Sequence, residues 1–154
     1  MIQSIINEPL ALTSNTSAVV FPIDDIRSRS ACQYNCNGWL CHQEGNPQYQ
    51  ITQSGRYEVT FNTDVSSATA GVVSLGLLIN GVETPSAIAS ATIAAPDDYE
   101  NLKITKVIDV CPRGVTTISI ASIPAVPTPT TPATPITTEI PILVHSNLII
   151  KKIS

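Results

Sequence analysis

Charge is scarce in this chain: only 13% of its 154 residues are Asp, Glu, Lys or Arg, and the net charge is −4. The eight basic residues are scattered, apart from Lys151-Lys152 and Arg27/Arg29. The basic stripe that neutralises phosphates is therefore missing, which argues against direct binding of DNA or RNA. Long apolar runs are missing as well. No stretch approaches the roughly 18 apolar residues that a membrane-spanning helix needs. The start, MIQSIINEPLALTS, lacks a basic n-region, an apolar core and an A-x-A cleavage site, so it does not read as a secretory signal. The chain is expected to be made in a cytoplasm and to reach any exterior by lysis or within an assembly. No twelve-residue window carries a capped 3.6-residue apolar period, which leaves little room for helix.

What is present is β-forming material. The 43% hydrophobic fraction is mostly Ile, Val, Ala and Leu set among Thr and Ser. In GRYEVTFNTDVS, Tyr57, Val59, Phe61 and Val65 share one face and Arg56, Glu58, Thr60, Asn62 and Asp64 the other, the alternation of a half-buried strand. GVVSLGLLINGVE alternates Val73, Leu75, Leu77 and Ile79 and ends in Asn80-Gly81, the pair a type I′ hairpin demands. Val72 and Leu78 on its other face suggest burial on both sides. SAIASATIAA, LKITKVIDV, VTTISIAS and ILVHSNLIIKKIS supply further strands, with SAVVFPI and QYQIT before them, about eight or nine in all. Short strands with regular turn signals predict an all-β antiparallel sandwich or jelly roll in one domain. Prolines at 124, 127, 129, 132, 135 and 141 make 123–141 an extended Pro/Thr-rich loop, either solvated or rigid and turned toward a partner.

The densest chemistry is ACQYNCNGWLCHQ, residues 31–43. Cys32, Cys36 and Cys41, with the distant Cys111, can form a disulfide staple. The weaker zinc alternative uses Cys32, Cys36, Cys41 and His42, but only one knuckle-like pair is present where such sites normally use two. Reduced buried thiols are the third possibility. No catalytic residue is expected: His42 and His145 are the only histidines, and nothing frames them as partners of a nucleophile. Tyr34, Trp39 and Tyr49 are the candidates for ligand or partner contact, although a lone tryptophan usually buries its large apolar area. Asp24-Asp25 and Asp97-Asp98 with Glu100 lack the spacing of a calcium loop and read as solvated turn acids. No cofactor is implied.

Gly55, Tyr57, Val59 and Phe61 form a G-x-Y-x-V-x-F strand, Leu77, Asn80 and Gly81 an L-x-x-N-G hairpin, and Leu148, Ile150 and Lys152 a closing L-x-I-x-K strand. In this order they resemble the C1q/TNF-like jelly-roll family over residues 48 to 154, and in particular its bacterial and phage structural branch. The resemblance implies a ten-stranded sandwich, usually a homotrimer, acting as a binding or structural head and not as an enzyme. No collagen-like glycine repeat precedes the head, which sets the chain apart from stalked relatives. Residues 1–30 are expected to be an N-terminal arm that anchors a jelly-roll domain, 31–154, to a phage capsid. The expected location is then the virion surface. A receptor- or glycan-binding head of a fibre, adhesin or spore surface, placed on a bacterial cell or spore, is the alternative.

Overall fold

The computed structural model describes residues 1–27, 31–32, 38–111, 114–124 and 137–154, with the backbone alone at 26–27 and 31–32. Twelve strands and no helix occur among the described residues: β1 (Ile2–Ile6), β2 (Leu10–Ala11), β3 (Ile23–Arg27), β4 (Ala31–Cys32), β5 (Leu40–Cys41), β6 (Tyr49–Ile51), β7 (Gly55–Ser66), β8 (Gly71–Ile79), β9 (Val82–Ile93), β10 (Glu100–Val110), β11 (Thr116–Ser122) and β12 (Ile142–Lys152). They form two six-stranded sheets. The first runs β10-β7-β12-β1-β3 with β2 beside β12, and the second β4-β5-β6-β11-β8-β9. The predicted antiparallel jelly-roll sandwich is the observed one.

The two-residue period decides which side chains fill the space between the sheets. Tyr57, Val59, Phe61 and Val65 of β7 are fully buried, as are Val73, Leu75 and Leu77 of β8 and Ile118 and Ile120 of β11. From β10, Leu102, Ile104, Ile108 and Val110 also point inward. Asn80 and Gly81 take φ of 53° and 76°, the left-handed pair that lets β8 turn straight into β9. On the other face of β8, Val72 and Leu78 are half-buried.

Three expectations change. First, Ile2–Ile6 is no free arm. It is an inner strand of the first sheet, in register with β12 from Ile2↔Ile150 to Ile6↔Ser146 and flanked on its other side by β3. The reason is burial: Ile2, Ser4 and Ile6 face the core and are covered there. Second, SAVVFPI supplies only a single bridge, Ala18↔Ala121, before its Ile23 opens β3, although Val19 and Phe21 are fully buried. Third, the strand total exceeds eight or nine because β1 and β3 and the two-residue β2, β4 and β5 escaped notice.

Of the Pro/Thr loop, residues 125–136 lie outside the described set. Its two feet stand close together on β8. Ile123 N–H donates to the Ser74 carbonyl at 3.0 Å, while Val72 exchanges hydrogen bonds with Thr137 and Glu139 at 3.1 and 2.9 Å. Gly71 permits the second foot, since a Cβ there would lie 2.5 Å from Glu139 Cγ and 2.8 Å from the Thr137 carbonyl oxygen.

Candidate functional site

The end of the cysteine segment is tied to the sandwich through Thr52. Thr52 donates its N–H to the Trp39 carbonyl at 3.0 Å and its hydroxyl to the Gly38 carbonyl at 2.6 Å. This turns the indole inward against the Tyr57 ring, 5.3 Å away, and Trp39 is left 7% exposed. Tyr49 is fully buried. The structure thus places two of the three expected contact aromatics in the core, Tyr49 from β6 and Trp39 from the residue before β5. Tyr34 lies outside the described residues.

His42 is the centre of a buried polar cluster. Its ring stacks on Tyr49 at 3.8 Å and 8°, Nε2–H donates to the Asn46 carbonyl at 2.9 Å, and Nδ1 faces both Asp24 carboxylate oxygens at 2.9 and 2.8 Å. The Ser4 hydroxyl donates to the same carboxylate, and the Asp24 N–H donates to Glu44 at 3.2 Å. Both the Asp24 and the His42 side chains are fully covered. Asp24 is therefore no solvated turn acid, whereas Asp25, Asp97, Asp98 and Glu100 are exposed. Sequence reasoning missed this pairing because nothing local announces it: β3 brings Asp24 to the residue after β5 across a gap of eighteen positions.

This grouping does not suit catalysis. The carboxylate stands between hydroxyl and imidazole, so His42 cannot take a proton from Ser4, and Nε2 is occupied by a carbonyl that only accepts. Nor is His42 open to a metal, since ligation through either nitrogen would break a bond to Asp24 or Asn46. Among the described residues no three His, Cys, Asp or Glu side chains gather as a metal site. Cys41 is a buried thiol and Cys111 an exposed one, while the side chains of Cys32 and Cys36 fall outside the described set. His145 is exposed on a bulge of β12 between Val144 and Asn147, with φ of 51°.

A second feature lies on the solvent side of the first sheet. Ile23, Ile5 and Asn147 are register neighbours across β3, β1 and β12, and Ile149 stands one step along β12, opposite Gln3. Ile23 is exposed, the others are half-buried, and the Asn147 Oδ1 atom is buried without a hydrogen-bond partner. Leaving such an atom unpaired costs about 1–3 kcal/mol. At the other edge of the first sheet β10 exposes Val107, and edge strand β9 of the second sheet, which packs against β10, exposes Val82 and Ile88.

Tyr57 supplies a pH handle. Burial pushes its phenol above the usual value of 10, and the hydroxyl donates to the Gln53 carbonyl at 2.8 Å. The folded chain thus holds this proton where the unfolded chain releases it. By linkage, stability is unaffected well below pH 10 and declines as pH rises past about 10. Thermal melts between pH 8 and pH 11 are expected to fall less steeply for Tyr57→Phe than for the wild type, and identical slopes would refute the assignment.

No family model matches the chain, and neither does any curated protein sequence. Solved structures do. The globular domain of zebrafish complement 1qA protein superposes with a TM-score of 0.63 over 99% of this chain and 96% of that one, at 11% identity. Murine APRIL, in a crystal structure at pH 5.0, gives 0.51 over 96% and 97%, at 12% identity. The fold is that of a C1q/TNF-like jelly roll over essentially its full length.

Proposed function

We propose that this chain is a non-enzymatic structural protein, a homotrimeric head that decorates the surface of a larger assembly, a phage capsid. The observation that carries the trimer is the solvent face of the first sheet. An apolar strip of Ile5, Ile23 and Ile149 lies beside Asn147 on that face, and a second protein surface would cover it. The occupant is another copy of this chain. Its β9–β10 edge exposes Val82, Ile88 and Val107 among polar and charged residues and differs from the strip, so a contact between the two would be heterologous and, with three copies, would close as a ring. The Asp24–His42 grouping, closed off by Ser4 and the Asn46 carbonyl, fits a structural role better than a catalytic one.

Because β1 belongs to the sheet, attachment to the assembly would use the folded surface and not a loose N-terminal arm. The capsid, and with it a virion-surface location, rests on the order of sequence motifs shared with phage structural heads. Native mass spectrometry with light scattering at micromolar concentration is expected to give a trimer that Ile149→Asp converts to monomer. A wild-type monomer would refute the trimer. Particles purified from the source culture should carry the chain in regular copy number, and particles lacking it would refute decoration while leaving the trimer intact.

A further inference from the structure

The pairing β4–β5 is unlike every other ladder among the described strands. It is parallel, it spans only two residues on each side, and it forms the outer edge of the second sheet. Parallel pairs are slightly weaker per residue than antiparallel ones, and an exposed edge invites pairing with other chains. Two residue pairs are a thin basis for holding such an edge. The register is Ala31↔Leu40 and Cys32↔Cys41, so the second of the two pairs sets one cysteine directly opposite another.

We infer that Cys32 and Cys41 are the two ends of a disulfide that locks edge strand β4 onto β5 and closes residues 32–41 into a covalent ring. Neighbouring strands run about 4.8 Å apart. That spacing lies within the roughly 4.4–6.8 Å that bridged α-carbons require. The Cys41 end is held firmly. It is followed at once by His42, fixed through both ring nitrogens, and its own strand is in register with Gln50 of β6. Cys111 stands exposed at the end of β10, away from this register.

The structure presents Cys41 as the thiol, and closure needs an oxidant, for which a low-molecular-weight disulfide such as oxidised glutathione serves. One protein thiolate attacks it and releases one small thiol. The second protein thiolate then attacks the mixed disulfide and releases the other, so two protein thiols lose two protons and two electrons while one small disulfide becomes two thiols. The reaction requires brief opening of the β4 edge, because Cys41 is buried.

The test uses the full-length chain equilibrated with oxidised glutathione, blocked with an alkylating reagent and cut without reduction by trypsin and chymotrypsin. Cleavage after Tyr34 and Trp39 separates Cys32, Cys36 and Cys41 into different peptides. The expected product is a linked pair carrying Cys32 and Cys41, two hydrogens lighter than its parts, with Cys36 and Cys111 alkylated. The same pair should form in Cys36→Ser and Cys111→Ser. Reduction is expected to lower the melting temperature of the wild type by at least about 5 °C and that of Cys32→Ser by nothing. A link through Cys36 or Cys111, or four alkylated thiols after oxidation, overturns the inference. Neither result bears on the trimer, which is read separately.

Discussion

Replacing His42 by Ala is expected to lower the unfolding free energy by about 3–5 kcal/mol, the cost of leaving a buried carboxyl group without its partner. The substitution strips the imidazole from both oxygens of a fully covered Asp24 carboxylate, removes the donor to the Asn46 carbonyl and uncovers the face of Tyr49. Since the stability of a domain this size is about 5–15 kcal/mol, much of it would be lost. Urea denaturation is the measurement: the midpoint should fall with the slope unchanged. The pair as a whole is worth far less than either half. Asp24→Leu combined with His42→Leu exchanges two polar groups for apolar ones of similar size, and should recover more than half of the single-variant loss. A loss below about 1 kcal/mol in His42→Ala would mean that water reaches the carboxylate, and that these groups do not hold β3 against the turn after β5.

That pair also marks where the sequence stops being readable. Strands β7, β8, β10 and β11 were legible because their inward and outward residues differ in kind: Tyr57, Val59 and Phe61 against Arg56, Glu58 and Asn62. β1 was not, because Ile5 sits between Ile2 and Ile6 and blurs the two-residue period, and because its burial depends on β12, more than 130 positions away. β3, IDDIR, looks like a polar turn until His42 is known to face Asp24. The same gap explains the aromatics. A short segment rich in cysteine, tryptophan and tyrosine resembles a contact surface, yet Thr52 fixes the backbone around Trp39 so that the ring turns inward. Residue types advertise chemistry, whereas long-range pairing decides what that chemistry is used for.

The cysteine segment and the sheet face then divide the work. The Asp24–His42 contact joins the residue pair bracketing 25–41 and fixes the base of that segment, while the β4–β5 register offers a covalent lock one residue before His42. Both stabilise a single edge of the second sheet. The face with Ile5, Asn147 and Ile149, where we propose the subunit contact, belongs to the first sheet.

Phe61→Ala is expected to be as damaging as any single truncation in the chain, with a cost of about 3–5 kcal/mol. Phe61 lies midway along β7, between Ile104 of β10 and Leu148 of β12, and is fully buried. Its ring meets Phe21 edge-on at 6.2 Å and 88°, so truncation opens a cavity facing the segment that leads into β3. At about 2–4 °C per kcal/mol for a domain of this size, the melting temperature should fall by roughly 10 °C. Phe61→Leu, which keeps most of the volume, should lose less than half as much. Val107→Ala is the informative companion. Val107 is 39% exposed on edge strand β10, so in a monomer its truncation should change stability by no more than about 0.5 kcal/mol. If instead Val107→Ala lowers the melting temperature in a way that depends on protein concentration, the loss is at a subunit contact and not in the core. Equal effects of Phe61→Ala and Val107→Ala at high dilution would contradict the assignment of one side chain to the core and the other to an interface.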